Sequence, residues 1–263
     1  MVTKKTLENK PLVEAIFELK WDIQESVSGM GTDPYYKLLI GGIYERIKDE
    51  YPFHEQLPTA TMPDELAAHV IQHRFRKYEN GWPLIQIGPG IITFNDTEGY
   101  TWENFKESSI RVLSTLFEAY PDAEANLNVD GLLLRYIDAT TFDFENDDIL
   151  VFLKEQLKTE VNLYQKLFEE TEVSNLPLGF DMRFSFSSAK PKGTVHLRFG
   201  RGKKEDSDAL MWETIVQSVA EDIPKDTEGI VTWITEAHDL TDDWFFKLIE
   251  GELQTRLERC HTN

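Results

Sequence analysis

The sequence predicts an α+β protein in which an antiparallel sheet is covered on one side by amphipathic helices. Three observations predict this class: segments that alternate apolar and polar residues, segments with apolar residues every three or four positions, and a shared order of strand, helix, strands, helix in both halves of the chain. We expect a single domain over residues 1–263, with pseudo-repeat halves at 1–125 and 126–263. The order of elements leaves open whether the halves share one sheet.

The first half opens with a strand and a helix. Residues 12–23 place apolar side chains on one side and charged side chains on the other, as in a half-buried strand. Asp33–Pro34 is typical of a helix N-cap and first helical residue, and apolar residues at a spacing of three and four predict a helix over 34–50. We expect it to stop before Tyr51–Pro52. The prolines of residues 52–66 favour an irregular connection.

A strand meander and a second helix complete the first half. Residues 67–95 combine β-branched and aromatic residues with turn signals such as Glu79–Asn80–Gly81. Thr101 then caps a helix that ends at Tyr120–Pro121.

The second half repeats this order. We expect a helix over 147–169, and a last helix that begins at Thr241–Asp242–Asp243 and carries apolar residues as far as Leu257. The hairpin connection SAKPKG joins two of the strands. The predicted strands of this half are residues 132–144, 180–186, 194–199, 209–219 and 229–237.

A glycine pair around a proline, Gly88–Pro89–Gly90, raises the question of a phosphate-binding loop. Such a loop needs converging backbone N–H groups that open a helix, whereas Pro89 lacks an N–H and the residues after it alternate as a strand. Proline followed by glycine suits the centre of a type II turn. We therefore expect a hairpin turn here.

The composition limits the classes of partner. The chain has 47 acidic and 27 basic residues and a formal net charge of −20, which disfavours binding to nucleic acid phosphates or anionic lipid. It favours a protein partner, with a basic or cationic one attracted most strongly, although an acidic excess that only keeps the surface solvated is the more common explanation. Cys260 is the only cysteine, and the N-terminus lacks a signal-peptide pattern, so we expect a cytoplasmic protein and no membrane segment.

Motifs that carry chemistry are missing from the sequence. There is no GxSxG elbow and no GxGxxG that opens a helix, and His69 and His73 are too few ligands for a zinc site. His196 and His238 carry no signal by themselves, and acidic pairs such as Asp147–Asp148 are explained by helix capping. We expect no catalytic residue, no metal and no cofactor.

Two basic islands run against the acidic trend and are the candidate binding residues. They favour either a charged sheet edge that prevents strand association, or a patch that binds an anion or a partner. The first island is Arg74, Arg76 and Lys77, and the second contains Arg198, Arg201, Lys203 and Lys204.

Four stretches of the chain resemble a sporadically distributed, uncharacterised bacterial protein family of about 260 residues: LENKPLVEAIFELKWD, GYTWENF, LRYID and EAHDLTDDWFFKLIEGELQTRL. They are mostly hydrophobic framework, so the resemblance implies a shared fold and carries over no catalytic residue. The patchy occurrence of the family is similar to that of defence-associated genes, including antitoxins, and implies a cytosolic prokaryotic protein.

Three functions remain open. The first is a non-enzymatic regulatory or neutralising partner in a bacterial defence or toxin–antitoxin setting, which uses complementary charge to meet its target. The second is an enzyme or sensor that binds a nucleotide or another phosphorylated ligand, and it requires the two basic islands to converge. The third is an acidic DNA mimic, which requires aligned carboxylates where the sequence disperses them.

Overall fold

A computed structural model describes residues 7–25, 31–63, 66–97 and 99–258; Cys260 lies outside the described residues. The strands are β1 (Leu12–Trp21), β2 (Gln24–Glu25), β3 (Gly31–Thr32), β4 (Phe53–Gln56), β5 (His73–Arg76), β6 (Leu84–Gly88), β7 (Ile91–Asp96), β8 (Val129–Thr141), β9 (Asp181–Ala189), β10 (Lys192–Lys204) and β11 (Ser207–Val219). The helices are α1 (Tyr36–Ile47), α2 (Trp102–Ala119), α3 (Ala123–Asn126), α4 (Ile149–Gln156), α5 (Thr227–Leu248) and α6 (Glu252–Glu258).

The predicted α+β class and the order of elements are confirmed. Nine strands form one antiparallel sheet in the order β4-β5-β6-β7-β1-β8-β11-β10-β9. Each half places its first strand at the centre, crosses through a helix to its own edge, and returns strand by strand. The two halves meet where β1 pairs with β8, so the sheet runs without a break from one half to the other.

The helices cover one face of this sheet. Ladder pairing aligns a row of buried apolar side chains across five strands, because residues directly opposite each other in a sheet point to the same face. The row consists of Phe94, Phe17, Leu134, Val216 and Val195. Helices α1, α2 and α5 bury their apolar stripes against it, through residues such as Leu39, Leu113 and Ile234.

The opposite face of the sheet carries polar side chains. Asn95 donates to Glu14 at 2.7 Å, and Thr93 donates to Asn95 at 2.6 Å. Gln86 lies within reach of both Thr93 and Asn95 and accepts from the Arg74 guanidinium at 3.0 Å. These polar groups therefore satisfy one another side chain to side chain.

Two of the predicted turns and caps are confirmed. Gly88 and Ile91 close the hairpin between β6 and β7, and Gly90 has a φ of 75°, the left-handed conformation that glycine adopts without strain. Thr101 caps α2, since its side chain accepts from the Asn104 N–H. The glycine pair thus serves backbone geometry.

The predicted strand at residues 229–237 is wrong, because these residues lie in the first half of helix α5. The β-branched residues of this run suggested a strand, but Ile230, Trp233, Ile234 and Ala237 follow the helical spacing and are all buried. Asp226 caps the helix by accepting from Gly229 N–H at 2.7 Å. Thr241–Asp242–Asp243 therefore lies inside α5 and begins no helix.

The predicted helix over 147–169 is shorter than expected. Helix α4 ends at Gln156, and Lys158 has a φ of 48°, so the chain turns away at this point. Asp33 is also not a helix cap, because α1 begins at Tyr36. Residues 52–66 are less irregular than predicted, since they include the edge strand β4.

Candidate functional site

A cavity of about 230 Å³ lies between the sheet and helices α2 and α5. It is lined from both halves of the chain. The first half contributes Leu7, Lys10, Pro11, Leu12, Tyr100, Thr101, Trp102 and Glu103, and the second half contributes Tyr136, Asp138, Thr214, His238, Thr241, Asp242, Phe245 and Phe246.

Secondary structure explains how these side chains come together. Alternation along β8 points both Tyr136 and Asp138 to the helix-covered face, and ladder pairing sets Thr214 of β11 beside Tyr136. In α5 the lining residues His238, Thr241 and Phe245 follow the spacing of one helix face. Most of the lining thus comes from strands and helices, and the segments that lead into β1 and α2 supply the rest, Leu7, Lys10, Pro11, Tyr100 and Thr101.

Asp138 is the chemically unusual residue of the cavity. Its side chain is buried, with 4% of the residue exposed, and it makes no hydrogen bond or ion pair to any residue in the described part of the chain. Burial raises the pKa of the Asp138 carboxyl to about 8, while the positive charge of Lys204 lowers it. The carboxyl is therefore protonated at neutral pH and is able to donate one hydrogen bond.

A hydrogen-bonded chain of three side chains runs beside Asp138. The hydroxyl oxygens of Tyr100 and Tyr136 are 2.9 Å apart, and the Tyr136 hydroxyl oxygen is 3.1 Å from His238 Nδ1. Burial raises the pKa of both tyrosines above the usual range, so both stay neutral phenols. The Trp102 ring stacks on the His238 imidazole at 3.7 Å and 13°, which fixes the orientation of the imidazole.

Charged side chains surround the mouth of the cavity. Lys10, Glu103 and Asp242 line it and are exposed. The Lys10 ammonium donates to the Tyr100 backbone carbonyl at 2.6 Å and lies 5.9 Å from the centre of the Tyr100 ring. Of the described charged side chains at the mouth, two are acidic and one is basic.

The two basic islands lie far from each other, and Lys204 of the second island is near enough to the cavity for its charge to act on Asp138. Arg74 and Arg76 are on β5, Lys77 follows it, and the second island is on β10. Six strand-to-strand steps separate β5 from β10, which corresponds to about 29 Å at roughly 4.8 Å per step. The convergence that a shared phosphate site requires is therefore not found.

Most of the island residues already meet carboxylates. The ion pairs are Arg74–Glu55 at 3.2 Å, Arg76–Glu55 at 3.5 Å, Lys77–Glu50 at 3.4 Å, Arg198–Asp181 at 2.6 Å, Arg198–Glu213 at 3.3 Å and Arg201–Asp208 at 2.5 Å. On the strand ladder, Lys203 and Lys204 lie opposite Asp208 and Ser207. Whether these seven residues bind a partner stays a prediction.

The two histidines at a spacing of four do not act as a pair. His69 lies in a turn with a φ of 56°, and His73 lies on β5, where its Nδ1 is 2.9 Å from Nε2 of His54. Burial and the neighbouring His54 lower the pKa of His73. Within residues 7–25, 31–63, 66–97 and 99–258, no three His, Cys, Asp or Glu side chains are placed to share a metal ion.

Sequence reasoning missed the cavity, although one signal was present. The inward positions of β8 are Leu132, Leu134, Tyr136 and Asp138, so an apolar series ends in a carboxyl on the buried side of a strand. His238 gave no such signal, because its partner Tyr136 is 102 positions away in the sequence.

A second feature is an exposed apolar segment, residues 163–186. It contains Leu163, Tyr164, Leu167, Val173, Leu178, Phe184 and Phe186, each at least 40% exposed. Its last part is the edge strand β9.

Comparison with protein-family models finds no match, and comparison with curated proteins finds none either. The family resemblance of the sequence therefore stays an expectation. No helix of the described ranges combines the length and the apolar character needed to cross a bilayer.

Proposed function

We propose that this protein is a cytosolic binding protein for a small organic molecule, which it holds in the cavity between the sheet, α2 and α5. The observation that carries this proposal is the Asp138 carboxyl, buried at the cavity wall without a partner among the described residues. Buried polar groups in proteins are nearly always hydrogen-bonded. A buried carboxyl that lacks a partner and lines a cavity favours a ligand that supplies one.

The protonation states favour binding over covalent chemistry. Both tyrosines are neutral at physiological pH because burial raises their pKa, and neutral phenols are weak nucleophiles. Asp138 is protonated as well in the ligand-free protein, so it is not a carboxylate nucleophile before a ligand binds. The stacked and hydrogen-bonded rings supply fixed surfaces, which suit recognition.

The cavity also limits the size of the ligand. Its volume of about 230 Å³ lies below the roughly 300–1,000 Å³ that is typical of sites for drug-sized molecules. We therefore expect a compact metabolite with an apolar body and a few polar groups.

A thermal-shift screen of small metabolites tests this proposal. A ligand must raise the melting temperature of the wild-type protein and, as a matched control, of Asp208→Asn, which alters a surface carboxyl of β11. It must have little effect on Asp138→Asn. If no compound stabilises the wild type, or if Asp138→Asn responds as fully as the control, the proposal is wrong.

A second candidate function, a regulatory or neutralising partner of a basic protein, is favoured by the exposed apolar segment. Exposed large apolar side chains mark interaction sites when they are concentrated in one region. Seven of the large apolar residues that are exposed lie within residues 163–186. This segment has four acidic residues against two basic ones, and the whole chain carries −20, so complementary charge favours a basic protein.

Native co-purification followed by mass spectrometry tests the second candidate. The captured protein must be basic, its binding must weaken with added salt, and binding must be lost in the triple variant Leu163→Ser, Leu167→Ser, Leu178→Ser. Leu38→Ser and Leu66→Ser, which alter equally exposed leucines elsewhere, serve as the control. A solitary monomer, or a partner that the triple variant still binds, contradicts this function.

A further inference from the structure

The charges at the cavity select among classes of ligand. Glu103 and Asp242 place two carboxylates at the mouth, and the Lys10 ammonium is held by the Tyr100 carbonyl. An anionic ligand has to approach these carboxylates and then lie against a third carboxyl, that of Asp138. The net charge of −20 repels an anion at longer range as well and attracts a cation.

Aromatic rings at the cavity already attract ammonium groups. Lys10 Nζ lies 5.9 Å from the centre of the Tyr100 ring, and Lys106 Nζ lies 6.0 Å from the centre of the Trp102 ring. These separations are within the range of cation–π attraction. The same cavity is lined by Phe245 and Phe246, so a cationic ligand meets aromatic surface together with carboxylates. Recognition of organic cations commonly uses this combination.

We propose that the ligand of this cavity is a small organic cation, a substituted ammonium compound with an apolar body, whose positive charge lies against the Asp138 carboxylate. This proposal rests on the proposed small-molecule-binding function and specifies its ligand class. When the cation binds, the Asp138 carboxyl releases its proton to solvent, and the resulting carboxylate pairs with the ammonium. One proton leaves for each cation bound, so charge and atoms balance.

The pH dependence follows from the groups that face Asp138. The titratable groups around the cavity are Lys10 before β1, Tyr100 and Glu103 at the start of α2, Tyr136 on β8, Lys204 at the end of β10, and His238 and Asp242 on α5, and the two tyrosines stay neutral. Because burial raises the pKa of Asp138 to about 8, the proton is present at pH 7 and has to leave. Affinity for a cation therefore rises about tenfold per pH unit between pH 6 and pH 7 and levels off above pH 8.

A library of charge-matched trios tests the ligand class. Each trio carries an ammonium, an alcohol and a carboxylate on one skeleton, for example choline, 3,3-dimethylbutan-1-ol and 3,3-dimethylbutanoate, or 2-phenylethylammonium, 2-phenylethanol and phenylacetate. Isothermal titration calorimetry in two buffers of different ionisation enthalpy measures both affinity and proton release. We expect ammonium members to bind at least tenfold more tightly than their alcohols at pH 8, with about one proton released per cation at pH 7.

Two variants show whether the Asp138 carboxyl is responsible for the preference for ammonium compounds. Asp138→Asn must lose the preference for ammonium over alcohol and the proton release, whereas Asp208→Asn must keep both. If alcohols or carboxylates bind as tightly as ammonium compounds to the wild type, the ligand class is overturned while the small-molecule function stands. If no member of any charge class binds, both proposals fail. Cation binding without proton release also overturns the role given to Asp138, even if Asp138→Asn proves hard to purify.

Discussion

Two neighbouring carboxyl groups, one on each face of the sheet, differ in their partners. Glu213 and Asp138 lie on paired strands, since Glu213 is opposite Ile137 and Trp212 is opposite Asp138. On the polar face Glu213 forms an ion pair with Arg135 at 2.7 Å and accepts from Arg198 at 3.3 Å. On the helix-covered face Asp138 meets no hydrogen-bonding group of the described chain. Among the described residues, the fold thus pairs one carboxyl with two guanidinium groups and leaves the other unpaired at a cavity.

The largest expected effect is a pH-dependent stabilisation by Asp138→Asn. The pKa of Asp138 rises from 3.8 to about 8 on folding, so between these values the unfolded chain is ionised while the folded protein keeps its proton. The wild type therefore loses about 1.4 kcal/mol of unfolding free energy per pH unit from about pH 4 to pH 8 through this group. The variant does not titrate here, so its advantage grows over this range to several kcal/mol.

Urea unfolding of both proteins at pH 5 and pH 8 measures this difference. Glu213→Gln is the contrasting variant, because it removes the ion-pair partner of Arg135 and one of the two carboxylates that pair with Arg198, and it is expected to destabilise by about 1–3 kcal/mol. If Asp138→Asn shows the same difference from wild type at both pH values, the contrast between the two carboxyls does not hold.

A smaller effect is expected from breaking the hydrogen-bonded chain beside Asp138. Tyr136→Phe removes the central hydroxyl and withdraws a partner from both Tyr100 and His238, which costs about 1–3 kcal/mol. Tyr100→Phe removes a terminal hydroxyl and leaves the Tyr136–His238 bond in place, so about 1 kcal/mol or less is expected. Chemical denaturation compares the two variants, and equal losses show that the three side chains do not act as a connected chain.

The smallest effect is expected at the basic islands. Lys77→Ala removes a partly exposed ion pair with Glu50, which keeps Arg111 as a second partner. Such pairs contribute roughly 0–1 kcal/mol. We expect unfolding free energies within about 0.5 kcal/mol of wild type for Lys77→Ala and Lys203→Ala, and unchanged affinity for the cavity ligand. If either variant loses ligand binding, the basic islands take part in the binding site and this prediction is wrong.

The fold was largely predictable from local patterns. Alternation along residues 12–23 and the Thr101 cap are signals within a few residues of each other, and the structure confirms both. The prediction of a strand at residues 229–237 was wrong because β-branched residues favour strands. These residues form a helix whose Trp233 and Ile234 pack into the core against the sheet. The predicted helix over 147–169 is longer than the observed α4, because no glycine or proline marks the turn at Lys158.

The candidate site was less predictable, because its members converge only after folding. Asp138 alone had a local signal, as an acid at the end of an inward-facing apolar series on β8. The contacts of His238 with Trp102 and Tyr136 join α5 to α2 and β8, and nothing in the sequence specifies which elements meet. The basic islands stood out by composition, but their carboxylate partners are also tertiary contacts.

The cavity exists only where the two halves of the chain are joined by the central pairing of β1 with β8. Eight of its lining residues precede this junction in the chain and eight follow it. Neither half contains a complete site, so two separate polypeptides divided between α3 and β8 acquire one only on association. Binding of the proposed ligand by a mixture of the two pieces would then report that they have joined.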